Sequence, residues 1–481
     1  MPHQKPAAPE RPAPERHRPE MTLSPATAPT AVAEPTSSTV RQITVLGLPL
    51  LLGALSSSLS GIVDTAMIGR YGADELAAVA GTSAVFDVLS NVVLASLVGY
   101  QILAPRFAGR QDPPGMVRVL RSSALYCGGL AVALTVLCLA AGGWLTGLVV
   151  PGHANLTHLG AQYLAARAPT LVLMVPFVLL TATFNAHKQP RYAALAGVVV
   201  NVVNLLLDWA LIYGVGPFPR LGALGNGLAT TIAWLVGLLV LAVAARRSGL
   251  LSRLRRPGPG PGTEVDFPTS IPRLAWPAIV SSGLDYTSMA IFFAIMGSIG
   301  EDALAGGRIA FEITVLMFGV GGSFAAASRI LIGRALGEGD RSGSRALWRT
   351  GRYVLLAPAL LIALVLLLLP RWSALPFTSF APVLDAAAEA MPLVALCIPL
   401  MAWTLGNVSL IRALGHTRWD MWANLTAAIA IQLPLGWLLA DAAGWGLAGA
   451  FTAVVAYWLA RAVFTEIVAH RLLRPADPAI T

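Results

Sequence analysis

Twelve long apolar stretches, separated by short polar ones, follow one another along most of this chain. Each is long enough for a membrane-spanning helix, which needs about 20 consecutive and mostly apolar residues. They fall at residues 43–68, 79–104, 118–142, 162–186, 191–213, 222–245, 273–298, 303–333, 348–369, 386–411, 419–440 and 444–468. The pattern therefore predicts an all-α polytopic membrane protein with twelve transmembrane helices.

The two halves of this pattern repeat each other in sequence. Residues 69–77 (Gly-Arg-Tyr-Gly-Ala-Asp-Glu-Leu-Ala) match residues 297–305 (Gly-Ser-Ile-Gly-Glu-Asp-Ala-Leu-Ala) at five of nine positions, with an offset of 228. The same offset places Ile-Leu-x-x-Arg-x-x-Gly-x-x-Asp at 102–112 on the same motif at 330–340. Each half holds six helices, and an even number preserves direction, so the repeat is parallel, with a pseudo-two-fold axis along the membrane normal. Such duplication is typical of transporters whose halves move against each other.

The repeat also predicts the domain organisation. An N-lobe at residues 41–245 and a C-lobe at 273–470 are joined by a hydrophilic, Pro- and Gly-rich linker at 246–272. Residues 1–40, rich in Pro, Ala, Glu and Arg, are typical of a disordered cytoplasmic tail. Residues 471–481 form a short cytoplasmic C-terminus in this scheme.

The distribution of basic residues predicts the orientation. The loops after alternate predicted helices, together with the C-terminal end, hold twenty Lys and Arg residues. The opposite loops hold five, which are Arg70, Arg167, Arg220, Arg308 and Arg371. Positive loops stay in the cytoplasm, so both termini and the linker are expected there. This role accounts for the net charge of +9 without a nucleic-acid partner.

Composition and motifs argue against catalysis. Charged residues make up 12% of the chain, against about 25% in ordinary soluble proteins. The three cysteines (Cys127, Cys138 and Cys397) lie singly in apolar stretches and lack metal-ligand spacing. His-Glu-x-x-His, Gly-x-Ser-x-Gly, Cys-x-x-Cys and phosphate-loop motifs do not occur in the sequence. We therefore expect neither an enzyme nor a cofactor, and no metal site other than one for Na⁺.

Two acidic residues lie inside predicted helices at matching depth. Asp64 and Asp208 each lie about 8–9 Å inside the predicted outer end of their helices. Asn201, Asn204 and Asp208 share one helix face because their spacings are three and four. Carboxylates are costly inside a membrane, and two of them with amide oxygens suit either Na⁺ or a shared proton.

Asn226 and Thr230, one turn apart on the next predicted helix, reach similar depth and complete this candidate ion site. Neither acid has an acidic counterpart at the repeat offset, so the site belongs to the N-lobe alone. A simpler interpretation is that the acids cap helices or reach water near the interface. Asn201 by itself is more typical of a helix–helix contact than of an ion ligand.

A weaker group of candidates lies in and near the C-lobe. Asp285 and Glu312 are predicted about 20 and 14 Å from the outer surface, where they form either a second ion or substrate site or a structural polar contact. Asp87 is a weaker cavity-lining candidate. Pro49 and Pro277, which match at the repeat offset, are candidate hinges because proline removes a backbone hydrogen bond.

Several short motifs resemble the multidrug and toxic compound extrusion (MATE) family, and within it the bacterial branch that includes DNA-damage-inducible protein F. The resemblance covers roughly residues 42–470. It rests on Pro49 followed by Asp64-Thr65-Ala66-Met67-Ile68-Gly69, on Asn204-x-x-x-Asp208, and on Gly225-Asn226-Gly227-Leu228-Ala229-Thr230. Many members have Gly-Ala-Ala where this chain has Gly-Asn-Gly, which leaves the choice between H⁺ and Na⁺ open.

The resemblance implies two lobes in a V and cation-coupled export of organic compounds by alternating access. It implies that Asp64, Asn204, Asp208 and Thr230 bind the coupling H⁺ or Na⁺. Asp285 matches an acid in helix 7 of another branch, eight residues after a proline. The partners implied are a small organic substrate, cationic or amphipathic, and the lipid bilayer. We expect a monomer in the bacterial plasma membrane.

A second functional hypothesis also fits the sequence. A flippase for a lipid-linked substrate shares the duplicated architecture, but it favours a cationic central groove and more than twelve helices. The acidic intramembrane residues favour the exporter. A gradient-driven transport assay separates the two hypotheses.

Overall fold

The computed structural model describes residues 37–255 and 270–473. Within these residues, twelve helices are long and apolar enough to cross a membrane. They are α1 (Ser37–Tyr71), α2 (Ala73–Arg110), α3 (Pro113–Val149), α4 (Ala154–Ala186), α5 (Pro190–Tyr213), α6 (Ala223–Arg247), α7 (Ile271–Ile299), α8 (Glu301–Gly337), α9 (Arg341–Leu368), α10 (Ala381–Ala413), α11 (Thr417–Ala442) and α12 (Gly446–Leu473). The described part of the chain contains no β-strand. The prediction of twelve membrane helices is confirmed.

The helix ends extend beyond the apolar stretches. α1 begins at Ser37, inside the stretch expected to be a disordered tail, and the rest of that tail lies outside the described residues. α6 continues to Arg247, and a short helix, Leu250–Leu254, occupies part of the predicted linker. Linker residues 256–269 and C-terminal residues 474–481 also lie outside the described part.

Several helices are interrupted inside the membrane. α2 has a turn at Leu97, and α4 has one at Ala168, where Pro169 follows and removes a backbone donor. α11 contains the π-helical segments Thr426–Gln432 and Leu438–Ala442, and such segments often occur at functional sites. The candidate hinges Pro49 and Pro277 lie within continuous helices, so their role stays a prediction.

Two lobes, each with its own apolar core, make up the described chain. The N-lobe (α1–α6) is centred on buried residues of α2, α3 and α4, and the C-lobe (α7–α12) on buried residues of α7, α8, α10 and α12. The lobes join at related places. Ile43 and Leu46 of α1 pack against Leu331 of α8, and Ile271 and Leu274 of α7 pack into the core of α2.

These junctions lie toward one side of the membrane. We call it the basic side; it is the side on which α2, α4, α6, α8 and α10 end and on which the basic loops lie. Asn91 of α2 also contacts Tyr286 of α7. This contact lies about halfway along α7, farther from the basic side than the junctions above.

The matching acids of the repeat motif are structural caps. Asp112 accepts a hydrogen bond from the Gly115 amide at 2.9 Å and begins α3, whereas Asp340 accepts one from the Gly343 amide at 2.7 Å and begins α9. A side chain in this position satisfies an otherwise unpaired backbone donor. The Gly343 amide and the Ser342 hydroxyl hold the pKa of Asp340 below its usual range.

Two glycines of the same motif allow α2 and α8 to cross at the basic side. A Cβ on Gly109 would overlap the backbone carbonyl of Arg334, and a Cβ on Gly337 would overlap that of Arg106. Each glycine therefore faces the arginine of the other lobe. The repeat motif at 102–112 and 330–340 marks the point where the halves meet.

The two motif arginines bond across the lobes in the same reciprocal way. Arg106 of the N-lobe donates to the carbonyl oxygen of Ala413 at the end of α10, with Nε at 2.9 Å. Arg334 of the C-lobe donates to the carbonyl oxygen of Ala186 at the end of α4 at 2.6 Å. These carbonyls would otherwise lack partners, because the last carbonyls of a helix have none within it. We call this pair of contacts the latch.

Candidate functional site

Asp208 is the centre of a polar cluster in the N-lobe. Its side chain on α5 is fully buried. Asn204, one turn earlier, donates to Asp208 Oδ2 at 2.5 Å, and Asn226 of α6 donates to Oδ1 at 3.0 Å. A buried carboxylate needs such partners because an unpaired one costs several kcal/mol.

Asp64 of α1 joins this cluster from the other side. Its carboxyl group lies within hydrogen-bonding reach of the Asp208 carboxyl group. Its Oδ1 atom is buried and has no hydrogen-bond partner among the described residues. Two carboxyl groups in contact repel each other unless one holds a proton or a cation lies between them. The geometry of the cluster therefore allows it to hold a cation or a shared proton.

The Gly-Asn-Gly segment explains how Asn226 reaches the cluster. A Cβ at Gly225 would lie 2.7 Å from the Leu211 carbonyl oxygen of α5, and one at Gly227 would lie 2.8 Å from the Tyr163 carbonyl oxygen of α4. Neither approach leaves room for a larger residue. The two glycines thus bring α6 against both neighbours, and Asn226 between them points at Asp208.

The other N-lobe candidates lie around this cluster in supporting positions. Ser60 donates to Asn204 Oδ1 at 3.4 Å, and Asn201 donates to Ser56 Oγ at 2.6 Å, so both connect α5 to α1. Thr230 donates to the backbone carbonyl of Asn226 at 3.1 Å. The contacts of Asn201 fit a helix–helix bond, and Thr230 orders the turn that carries Asn226.

Arg167 lies beside this cluster, although the count of basic residues assigns it to an outer loop. It lies inside α4, where it bonds to the Tyr163 hydroxyl and stacks over the Phe86 ring at 4.4 Å. Its charge acts on Asp64, Asp87 and Asp208. The available signal was its position within the predicted span 162–186. Arg308, also counted in an outer loop, lies inside α8.

The C-lobe candidates do not form one site. Glu312 is exposed on α8 and pairs with Arg308 at 3.2 Å, one turn away on the same helix. Asp285 of α7 instead accepts a hydrogen bond at 2.7 Å from Asn424 of α11, which also donates to Ser281. Asp285 and Glu312 therefore have separate partners. No pattern in the sequence singled out Asn424.

A chain of hydrogen bonds continues from Asn424 to a buried ion cluster. Tyr457 of α12 donates to Asn424 Oδ1 at 2.7 Å, and Arg461 donates to the Tyr457 hydroxyl at 2.7 Å. Arg461 also pairs with the buried Asp420 at 3.3 Å, and Arg412 pairs with the same acid at 2.6 Å. The two cations fix the single carboxylate, which ties α10, α11 and α12 together.

Breaking this ion cluster is expected to destabilise the C-lobe. Asp420→Asn leaves Arg412 and Arg461 without their counter-charge, which costs about 3–5 kcal/mol for a buried pair. The matched control is Asp385→Asn, because Asp385 pairs with Arg371 at 2.8 Å with both side chains more than half exposed. The control should lose less than about 1 kcal/mol. Thermal unfolding in detergent measures both, and equal shifts would show that the cluster is not a structural centre.

A cavity of about 240 Å³ opens beside Asp285, between α7, α8, α11 and α12. Phe292, Phe311, Phe318 and Trp458 line much of its wall. Within the described residues, no group of three or more His, Cys, Asp or Glu side chains is placed to hold a metal ion.

Comparisons with known proteins agree with this architecture. The sequence profile of the MatE family matches residues 49–210 and 277–438, which together exceed half of the chain. The probable multidrug resistance protein NorM of Caulobacter vibrioides is 28% identical over 424 residues, which cover 85% of this chain and 86% of that protein. The NorM of Deinococcus radiodurans is 28% identical over 443 residues, covering 87% and 93%.

Solved structures share the two-lobe fold. A mutant of the Vibrio cholerae MATE transporter VcmN superposes with a TM-score of 0.81 and 20% identity, covering 91% of this chain and 98% of that one. A MATE family transporter in an outward-facing conformation superposes with a TM-score of 0.79 and 19% identity, covering 90% and 96%. The chain therefore belongs to the MatE family, the multidrug and toxic compound extrusion transporters, which are secondary transporters and not enzymes.

Proposed function

We propose that this protein exports small organic compounds, cationic or amphipathic, across the bacterial plasma membrane in exchange for an inward-moving cation. The observation that carries the proposal is that the Asp64 carboxyl group lies within hydrogen-bonding reach of the fully buried Asp208 carboxyl group. An acid pair of this kind holds one monovalent cation or proton and loses it when the surroundings change. The relatives named above, described as multidrug resistance proteins, support the substrate class.

A proton suits this site better than Na⁺. Asn204 and Asn226 both present their NH₂ groups to Asp208, so the two amide nitrogens, and not the amide oxygens, face the carboxylate. Na⁺ is bound by oxygen ligands, so both asparagine side chains would have to turn before their amide oxygens could join the carboxylates around it. A proton shared by Asp64 and Asp208 requires no rearrangement. The preference is for H⁺, and a Na⁺ gradient is the alternative arm of the test.

The charges around the site allow exchange of one cation for another. Asp64, Asp87 and Asp208 supply three carboxylates against the single guanidinium of Arg167. Their excess negative charge attracts the coupling ion and also an organic cation. The two cations therefore compete for the same carboxylates. One charge that moves through a potential of 100 mV releases about 2.3 kcal/mol, which drives the exchange.

The cavity beside Asp285 suits the cargo. Aromatic walls and the Asp285 carboxylate hold organic cations through ring faces and charge, while the Arg461 guanidinium that also lines the cavity is paired with Asp420. Asp285 is already bonded to Asn424, so a bound cation would add to this network and not replace it. We assign this cavity to substrate, and the Asp64–Asp208 cluster to the coupling ion.

Opening and closing of the latch would change the side of the membrane to which the transporter is open. With the lobes joined at the basic side, the N-lobe cluster opens away from it. Release of Arg106 and Arg334 from Ala413 and Ala186 would let the lobes separate at the basic side.

The excess of Arg at the basic side supports a cytoplasmic location for this side and for both termini. A single chain contains both lobes, which supports a monomer. The finer placement near the DNA-damage-inducible protein F branch stays a prediction.

Purified protein in liposomes with a fluorescent organic cation tests the proposal. A pH gradient should drive accumulation of the dye by the wild type, and Asp64→Asn should lose at least about tenfold of the initial rate because it removes one carboxylate from the pair. The matched control is Asp441→Asn, an exposed acid near the end of α11, which should transport normally.

The pattern of failure is informative. Movement under a Na⁺ gradient alone would replace H⁺ by Na⁺ as the coupling ion. Equal transport by wild type and Asp64→Asn would exclude the N-lobe cluster and direct attention to Asp285. No movement under either gradient would contradict the exporter and favour the lipid-linked flippase.

A further inference from the structure

A second pocket lies between the lobes, closer to the latch than the cavity beside Asp285. Its volume is about 180 Å³. Its polar wall consists of Gln101 from α2, Thr181 and Asn185 from α4, and Arg329 from α8. The apolar residues Leu50, Pro105, Val178 and Ile330 complete it. We call it the base pocket, and it draws residues from both lobes.

Arg329 carries a charge that the protein does not neutralise locally. Its Nη2 donates to Gln101 Oε1 at 3.0 Å, and its buried Nε has no partner. Within residues 37–255 and 270–473, no acidic side chain forms an ion pair with it. Asp420 acts on it from a distance, but that acid is already paired with Arg412 and Arg461, and the charge of Arg412 opposes the effect. A partly buried cation without a paired carboxylate favours an anion beside it.

Other polar atoms of the base pocket also lack partners. Asn185 is 6% exposed, and its Oδ1 atom has no hydrogen-bond partner among the described residues. The hydroxyl of Thr181 lacks one as well. Buried polar groups without partners are rare in native proteins, and three of them in one cavity mark a ligand or water site. The Thr181 hydroxyl offers a donor to an anion, and Asn185 offers one when its amide group turns its NH₂ toward the pocket.

The two halves differ at this point. Gln101 and Arg329 occupy matching positions of the repeat, 228 residues apart, and they bond to each other across the pseudo-two-fold axis. The duplication therefore placed a neutral amide in one lobe opposite a guanidinium in the other. The structural contacts of the latch do not use either side chain.

We propose that the base pocket binds the carboxylate of a small amphipathic organic acid. The planar guanidinium fork matches a carboxylate in two parallel hydrogen bonds. One positive charge balances one carboxylate, whereas a phosphate would bring close to two negative charges. The apolar residues on the other wall accept a short hydrocarbon body. The ligand contacts α4 of the N-lobe and α8 of the C-lobe, so it stabilises the closed state of the basic side.

Benzoate is the probe, and benzamide is its neutral counterpart of the same shape. Benzoate should raise the melting temperature of the detergent-solubilised protein in a saturable manner at neutral pH, whereas benzamide and inorganic phosphate should not. Arg329→Gln should raise the apparent Kd of benzoate at least about tenfold, because it removes a charge-assisted bidentate pair. Arg349→Gln, which changes an exposed arginine at the same side, should bind as the wild type does.

Two further variants keep the proposal testable if Arg329→Gln fails to fold. Arg329→Lys retains the charge without the fork, and Thr181→Val with Asn185→Leu removes the other donors. Each should weaken benzoate binding several-fold while the protein keeps its melting temperature without ligand. Equal stabilisation by benzoate and benzamide, or equal binding by wild type and all variants, would overturn the proposal and leave a water-filled pocket.

The source of the carboxylate is decided separately. Radiolabelled benzoate that accumulates under a pH gradient beyond the level in protein-free liposomes, which benzoic acid enters as the neutral acid, and that loses this excess in Arg329→Gln would identify the ligand as cargo. Benzoate that binds without accumulating, and that slows movement of the organic cation, would identify a resident ligand that holds the basic side closed. Either outcome supports the site. The binding measurement needs no gradient, so it stands independently of the proposed export.

Discussion

Replacement of Asp208 by asparagine is expected to abolish ion-coupled transport while the protein remains folded. The variant preserves the shape of the side chain. It removes the charge, and it places an NH₂ group where Asn204 and Asn226 both donate. The new NH₂ group then faces the NH₂ group of Asn204 or Asn226. In addition, Asp64 has no second carboxylate with which to share a proton.

The size of this effect follows from burial. Loss of one member of a buried charged group costs about 3–5 kcal/mol, which corresponds to a factor of 10² to 10³ or more in affinity for the ion. Proton release on addition of an organic cation, measured with the purified protein, should disappear. Dye accumulation under a pH gradient should fall to the level of empty liposomes.

Asp74→Asn is the matched control for Asp208→Asn. Asp74 is an exposed acid in the first turn of α2, close to the non-basic side, and it accepts a hydrogen bond from Asn155 at 3.2 Å. Its replacement should leave proton release and transport intact. Proton release that survives in Asp208→Asn would show that another group carries the coupling ion, and Asp285 would be the next to change.

Alanine at both crossing glycines, Gly109 and Gly337, is expected to open the basic side. Each new Cβ would overlap a backbone carbonyl of the other lobe, and a backbone atom cannot rotate away as a side chain can. Overpacking of this kind costs about 1–3 kcal/mol per site. A change of about 1.4 kcal/mol shifts a two-state equilibrium tenfold, so the closed state should lose its dominance.

Distances between the lobes measure this shift. Spin labels at cysteines introduced for Arg110 and Arg341, both exposed at the basic side, report the separation by pulsed electron resonance. The three native cysteines are buried and should not react. The glycine double variant should show a longer distance than the wild type.

Gly128→Ala is the control for the glycines, since a Cβ there meets nothing within 4 Å. It should leave the distance unchanged and stabilise α3 slightly, because alanine is favoured over glycine by about 0.5–1 kcal/mol in a helix. An unchanged distance in the double variant would mean that the lobes adjust elsewhere and that the crossing does not set the closed state.

The helices and the repeat were accessible from sequence. A bilayer demands about 20 apolar residues per helix, and this demand is local, so twelve stretches correspond to twelve helices. The fixed offset of 228 also singled out the motif at 102–112 and 330–340 as a repeat, but that the lobes join there, through caps, glycine crossings and latch arginines, appears only in three dimensions.

The candidate site was only partly accessible. Asp64, Asn204, Asp208 and Asn226 were expected together, and the structure brings them together. Arg167 was missed because charge counting treats an arginine near a predicted helix end as part of a loop. Asp285 and Glu312 share a similar predicted depth, but Asp285 bonds to Asn424 whereas Glu312 faces outward beside Arg308.

The amino-acid sequence by itself determined the number of helices, their approximate limits, the duplication and the acidic character of the N-lobe. Only the tertiary structure decided which polar side chains meet. The reason is that lipid and protein interior are equally apolar, so hydrophobicity sets the depth of a membrane helix but not its rotation about its axis. Rotation depends on close packing, as at Gly225 and Gly227, and on hydrogen bonds between residues far apart in sequence, as between Ser60 and Asn204.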